Sequence, residues 1–247
     1  MKVIDAFWDS RSLGERCSTL LFDPSDERGI IAEAMKSTCE YNLITASVPL
    51  GNIVLSFELE EAGFRFIETK MCFEHDLKHV ILPEIGKRFQ TDIIVKTASD
   101  GETQHIYEFI SEGLFTTDKI ALNPRFGVKI AGKRYVNWIS DEKERGAQLF
   151  AFFYKEVLSG FFIYKEPVPK TVYPFLAGLF PGKYERMLGV NLIYSSLSLA
   201  KERKYHRFIT EVSSNNLPII RINELLGMKI YDIQYIFMLD KKQPLSA

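Results

Sequence analysis

The residues with chemical reach are few and scattered. His75, His79, His105 and His206 have no serine, cysteine or carboxylate at a spacing that builds a nucleophile and its base, and no ligand spacing for zinc. Cys17, Cys39 and Cys72 form an odd, irregular set that fits neither a disulfide framework nor a structural metal site, so free thiols in a reducing compartment are expected. The phosphate fingerprints GxGxxG and GxxxxGK[ST] do not occur. One segment does suggest a ligand. Pro181-Gly182-Lys183-Tyr184-Glu185-Arg186-Met187-Leu188-Gly189 runs into a helical pattern over about residues 190–203. Such a glycine is either a turn before the helix or part of an anion site, because free N–H groups and the dipole at a helix start both favour negative charge. Arg186 brings a cation to the same place.

These residues are positioned by a pattern that occurs twice, at residues 43–73 and 207–237. A shift of 227 − 63 = 164 carries Val48 onto Val212, Asn52 onto Asn216, Glu60 onto Glu224 and Gly63 onto Gly227. Each copy reads as strand, Asn-initiated amphipathic helix, closing glycine and second strand, which predicts two related lobes. Before the first copy, residues 16–22 read as a strand, and Asp23-Pro24-Ser25-Asp26 supplies a turn and N-cap for a helix over about 26–39. Residues 78–90, with Pro83 and Gly86, read as the connection between a lobe at 1–85 and a domain at 91–247. The second series predicts strand, helix, helix, three strands, helix, strand, helix, strand. Leu158-Ser159-Gly160 is its hairpin signal, and Pro174 implies a splay or edge in the strand over 171–180. The fold class is mixed α/β, without the regular alternation of a doubly wound sheet.

With 247 residues, 46% hydrophobic and 26% charged, the chain is long enough for one large core or two modest ones. Lys plus Arg number 31 against 32 Asp plus Glu, a net charge of −1, so no basic excess exists to neutralise nucleic-acid phosphates. Asp5, Trp8 and Asp9 fall where a signal peptide needs an apolar run, and the apolar stretch at 149–164 is broken by Lys155, Glu156, Ser159 and Gly160. A cytoplasmic protein, a monomer or homodimer with no nucleic-acid or membrane partner, is expected.

The second series, with a turn feeding a helix after its fourth strand and an Asn-initiated helix after its fifth, resembles the GNAT superfamily of acyl-CoA-dependent N-acyltransferases over roughly residues 91–240. Phe7-Trp8-Asp9-Ser10-Arg11-Ser12-Leu13-Gly14, Asn123-Pro124-Arg125-Phe126 and Arg134-Tyr135-Val136-Asn137-Trp138-Ile139 resemble segments of its dTDP-fucosamine acetyltransferase branch. That branch carries a truncated GNAT-like half at its amino terminus and acetylates a sugar-nucleotide amine. The resemblance implies a GNAT-like central mixed sheet flanked by helices, preceded by a GNAT-like half lobe. It also implies acetyl-CoA or another acyl-CoA as co-substrate, a small-molecule amine as acceptor, and no metal.

It further implies roles for particular residues. The diphosphate of CoA belongs to Tyr184, Arg186, Met187, Leu188, Gly189 and Val190, although Tyr184 and Met187 stand where Gln or Arg and a glycine are usual. A shifted register, Arg186-Met187-Leu188-Gly189, restores the cation at the motif's start. Ala177, Gly178 and Leu179 on the splayed strand are implied to meet the pantetheine amides and polarise the thioester carbonyl, while Gly178 equally suits relief of crowding beside the aromatic hairpin. Asn216 is a helix cap that the resemblance also places against the cofactor arm. Asn223 takes the position of the family's general-acid tyrosine, where an amide donates a hydrogen bond but no proton. Arg125, Tyr135 and Trp138 are candidates for the acceptor pocket, Arg125 suiting a bidentate phosphate contact, while a cap or core role stays open for Tyr135 and Trp138. The departures at Met187 and Asn223 keep open an alternative, a catalytically degenerate module that binds CoA or a metabolite.

Overall fold

The computed structural model describes residues 1–27 and 29–243. Among these described residues are ten strands and eight helices, which cluster into two compact units. Of the described residues, the first unit comprises 1–27, 29–71, 213–215 and 232–243; the second comprises 72–212 and 216–231.

The first unit holds β1 (Lys2–Asp5), α1 (Phe7–Leu13), β2 (Cys17–Leu21), α2 (Ile30–Ser37), β3 (Leu43–Pro49), α3 (Ile53–Glu61) and most of β4 (Arg65–His75), with most of the closing strand β10 (Lys229–Asp240). Its strand order is β1-β2-β3-β10-β4. β2 runs parallel to β3, and β10 pairs antiparallel with β3 from Gln234↔Pro49 to Asp240↔Leu43. The alternating inward residues of these strands, Leu20, Ile44, Val48 and Phe237, pack with Leu55 and Leu59 of α3 into one buried cluster. β1 and α1 were not legible as elements beforehand. The cap expected from Asp23-Pro24-Ser25-Asp26 is absent: Gly29 opens α2 with φ +90°, and Asp26 instead accepts from the Met1 ammonium at 2.8 Å and from Asp23 N–H at 2.8 Å.

The second unit holds α4 (Glu84–Gln90), β5 (Ile93–Thr97), α5 (Asp100–Ser111), α6 (Gly127–Glu144), β6 (Gln148–Tyr154), β7 (Val157–Val168), β8 (Thr171–Leu179), α7 (Glu185–Glu202), all but the end of β9 (Arg207–Ser213), and α8 (Leu217–Leu225). Strands run β9-β8-β7-β6-β5, antiparallel from β5 to β8. α5 opens with a capping box, Ser99 Oγ accepting from Glu102 N–H and Glu102 from Ser99 N–H, as the Ser-x-x-Glu spacing requires. Its Ile106 and Ile110 join Ile139 of α6 and Phe161 and Ile163 of β7 in the core.

Both copies of the repeat are present, with boundaries that obey the shift of 164. β3 and β9 begin at 43 and 207, α3 and α8 span 53–61 and 217–225, and β4 and β10 begin at 65 and 229. Gly63 (φ +91°) and Gly227 (φ +76°) close the two helices in the left-handed conformation that glycine adopts at no steric cost.

Two expectations fail for identifiable reasons. The β6–β7 hairpin turns at Lys155 and Glu156, both at positive φ (49° and 62°), as in a type I′ turn, whose backbone twist matches its strands. Leu158, Ser159 and Gly160 lie inside β7, where Phe152↔Gly160 and Phe153↔Leu158 leave Ser159 as a bulge. A Cβ on Gly160 would lie 2.5 Å from the Gly178 carbonyl, so that glycine serves close backbone approach rather than a turn. Residues 78–90 are not a bare connection, because α4 packs on α7. Asn191 Nδ2 donates to the Gly86 carbonyl at 3.0 Å and to Gln90 Oε1 at 3.1 Å. Among the described residues no helix is long and apolar enough to cross a membrane.

Candidate functional site

β8 and β9 run parallel for only two rungs, Thr171↔Arg207 and Val172↔Phe208, and then diverge. The sequence places the cause at the point of divergence. Pro174 has no N–H to offer a further rung, and the register between β7 and β8 passes from Ile163↔Leu176 to Tyr164↔Pro174, leaving Phe175 as an extra residue that bends β8. Thr210 Oγ1 donates to the Pro174 carbonyl at 3.2 Å, a side-chain bond where the ladder has ended. The divergence expected from Pro174 is thus present. Ala177, Gly178 and Leu179 lie beyond it, half-buried. A Cβ on Gly178 would lie 2.9 Å from Leu114 Cδ2 and 3.3 Å from both Phe115 and Phe161, so this glycine relieves crowding on its own face of the strand.

The loop that follows departs further from expectation. α7 begins at Glu185, five residues before the predicted 190, with Tyr184 as an N-cap that makes no side-chain bond. Glu185 N–H donates to the Gly182 carbonyl at 3.3 Å, and Met187 and Leu188 N–H both donate to the Tyr184 carbonyl, at 2.9 and 3.1 Å. Gly189 and Val190 sit in the next turn, where a helical N–H bonds the carbonyl four residues back. The amide cradle read over residues 184–190 is therefore largely spent inside the helix; Arg186 N–H is the first-turn amide outside these bonds. Gly189 packs helices instead: a Cβ there would lie 2.8 Å from Ile222 Cδ1 of α8. The Tyr184 ring packs edge-on to Tyr154 at 5.0 Å. Exposed Lys183 and Arg186 have no ion pair among the described residues, so positive charge does stand at this helix start, beside the single acid Glu185.

On α8, Asn216 Oδ1 accepts from Ile219 N–H at 3.4 Å, and in the other copy Asn52 Oδ1 accepts from Leu55 N–H at 3.2 Å. Both asparagines cap. Asn223 lies on no exposed face: it is 1% exposed, and its side-chain amide nitrogen has no hydrogen-bond acceptor among the described residues. A buried, unsatisfied donor is costly and calls for an explanation.

The residues read as acceptor contacts divide. Arg125 stacks over Phe126 at 4.4 Å in a turn where Asn123 Oδ1 accepts its N–H at 2.9 Å. Tyr135 is 8% exposed and belongs to the core, its ring 4.7 Å from Phe115, while Trp138 packs on Phe175 at 4.5 Å. His75 is 8% exposed, its Nδ1 accepting from Leu77 N–H at 2.9 Å. Burial holds its pKa below the usual imidazole value. The sequence reading missed one pair. Tyr173 on β8 and Glu211 on β9 are electrostatic neighbours: burial first, then the charge of Glu211, pushes the Tyr173 phenol's pKa well above its ordinary value. No spacing signals this pair, because the two residues stand on different strands, far apart in the chain. All three cysteines are free, and no group of three or more His, Cys, Asp and Glu among the described residues is placed to hold a metal.

No protein-family model matches the chain, and no curated protein does. Solved structures do. A GCN5-related N-acetyltransferase from Sphaerobacter thermophilus superposes with a TM-score of 0.66 at 10% identity, covering 100% of this chain and 78% of its own. A tandem GNAT protein from the clavulanic acid biosynthesis pathway gives 0.55 at 15% identity, covering 93% and 76%. A GCN5-related glucosamine N-acetyltransferase region of a fungal multi-domain β-N-acetylglucosaminidase gives 0.65 at 12% identity, covering 90% of this chain and 29% of that one. The chain is thus similar in fold to these proteins: a GNAT-like mixed α/β sheet flanked by helices.

Proposed function

We propose that this protein is an acyl-CoA-dependent N-acyltransferase, moving an acetyl or other acyl group from CoA directly to the primary amine of a small molecule, with a nucleotide-linked amino sugar as the acceptor class. The observation that carries the reading is the parting of β8 and β9 after two rungs, at a proline and a bulge. An extended amide chain such as pantetheine completes an open strand edge with main-chain hydrogen bonds, and strand N–H groups aimed at the thioester carbonyl stabilise the charge that develops there. Ala177, Gly178 and Leu179 supply that edge. The diphosphate lies at the start of α7, against the Arg186 N–H and the Lys183 and Arg186 side chains, with Tyr184 and Met187 in the same first turn.

Asn223 donates its unsatisfied N–H to the departing sulfur. A thiol with a pKa of about 8.5 leaves without full protonation, so an amide suffices in place of an acid. Glu211, exposed on β9 near Tyr173, accepts the proton of the attacking amine. Arg125 contacts a phosphate of the acceptor, and Tyr135 supports that pocket from the core. The amino-sugar assignment draws on the resemblance of the 123–126 and 134–139 segments and on the glucosamine-acetylating relative of similar fold.

A second reading, a module that binds CoA or a metabolite without turnover, is favoured by the amides of α7 being engaged internally. Release of free thiol from acetyl-CoA across an amine panel that includes nucleotide-linked amino sugars separates the two. Turnover with an amino-sugar nucleotide supports the enzyme; binding of acetyl-CoA with no thiol released from any amine leaves the module.

A further inference from the structure

A cavity of about 660 Å³ opens in the second unit. Glu74, His75 and Asp76 at the end of β4, His79 and Ile81 in the following loop, His206 and Arg207 at the start of β9, and the Leu225-to-Lys229 stretch that leaves α8 surround it. Its size is that of a small-molecule site. Three of the chain's four histidines line it.

The polar groups of this wall are not balanced. Glu74 is already engaged, its Oε2 accepting from Arg207 Nε at 2.8 Å and Nη2 at 2.7 Å. Asp76 accepts from Lys78 N–H at 3.0 Å. Lys229, by contrast, has no ion pair among the described residues, and the His79 and His206 side chains have no hydrogen bond among them. His75 adds a donor that is fixed in place: a backbone N–H only donates, so Nδ1 is the acceptor and the ring proton resides on Nε2. The uncommitted groups of the wall are therefore mainly donors, one of them a full cation. Ile81 and Leu225, 71% and 52% exposed, add apolar surface, above a buried Leu226.

We propose that this cavity is a second ligand site, selective for a small organic anion with an apolar body, a short aliphatic carboxylate, held by Lys229, His79, His206 and the Nε2–H of His75. Its apolar chain lies on Ile81, Leu225 and Leu226. The site shares no residue with those assigned to the acyl donor, so its occupancy does not depend on the acyltransferase reading.

Hexanoate is the probe, titrated into the full-length protein and followed by the ring resonances of the four histidines. The expected result is saturable shifts of His75, His79 and His206 with His105 unmoved, unchanged by excess acetyl-CoA and absent with hexanol. Calorimetry on Lys229→Gln/His206→Gln is expected to show about tenfold weaker binding, the loss of a charge-assisted contact, with Lys2→Gln unaffected. Equal response to hexanol, displacement by acetyl-CoA, shifts that include His105, or undiminished affinity in the double variant would each overturn the proposal.

Discussion

Asn52 and Asn216 occupy one position in two copies of the same unit, which makes the chain its own control for separating a cap from a ligand contact. Replacing Asn216 with Ala removes the bond to Ile219 N–H, which at 3.4 Å is long. A cost at the low end of the capping range, about 0.5–1 kcal/mol, is expected. Asn52→Ala loses a shorter cap bond of 3.2 Å and the donation from Nδ2 to the Asp26 carbonyl at 3.3 Å, so its cost is larger, about 1–2 kcal/mol. Aspartate caps as well as asparagine but cannot donate. Asn216→Asp should therefore leave stability within about 0.5 kcal/mol of the parent, while removing any donation to the cofactor arm. Urea unfolding reports the first quantity and calorimetric titration of acetyl-CoA the second. A fall of about tenfold in acetyl-CoA affinity for Asn216→Asp, against none for Asn52→Asp, is expected, the equivalent of about 1.4 kcal/mol. Equal affinity in Asn216→Asp and the parent would refute the cofactor contact and leave the residue a cap in both copies.

Other outcomes follow from the same geometry. Gly160→Ala drives a Cβ to within 2.5 Å of a backbone oxygen that cannot rotate away, so an unfolding penalty of about 3 kcal/mol is expected from urea melts. Gly189→Ala meets only the tip of Ile222 and should cost less than about 1 kcal/mol. Asn223→Ala should lower turnover with little change in KM, and Asn223→Tyr should retain more activity than the alanine variant; if neither changes the rate, the residue has no part in catalysis. His75 is buried neutral, so the unfolded chain takes up a proton below the ordinary value of 6.5 that the folded chain refuses. Stability supplied by neutral His75 is present above that pH and lost as the pH falls through the depressed folded value. The urea midpoint should drop on acidification below 6.5, and His75→Gln, which still accepts from Leu77 N–H, should flatten the drop.

The repeat was legible because its signals are local: an Asn that caps, a glycine that closes at positive φ, and apolar spacing between them. The order of elements from β5 to β10 followed from the same kind of pattern, and Pro174 marked the divergence because a missing N–H is a property of one residue. The failures lie where local chemistry is silent. Lys155 and Glu156 turn at positive φ without glycine, held by the strands on either side. α7 starts at Glu185 with no capping side chain to announce it, so nothing local tells the glycine at 189, which packs against Ile222, from a loop residue. α4 was hidden by Pro83 and Gly86, although proline is well suited to a helix start and Gly86 sits close to Leu82 and Asn191. The burial of Asn223 and His75 and the pairing of Tyr173 with Glu211 depend on contacts between distant segments, which no spacing encodes.

The central claim is that the start of α7 and the parted edge of β8 together receive an acyl-CoA. Calorimetric titration of acetyl-CoA into the parent and into Lys183→Gln/Arg186→Gln, with acetyl-pantetheine as the diphosphate-free comparison, tests it most directly. Saturable binding of acetyl-CoA that weakens about tenfold in the double variant, while acetyl-pantetheine binds both proteins alike, is predicted from the loss of charge-assisted contacts to the diphosphate. No heat of binding from acetyl-CoA at millimolar concentration, or an affinity indifferent to both cations, would contradict it.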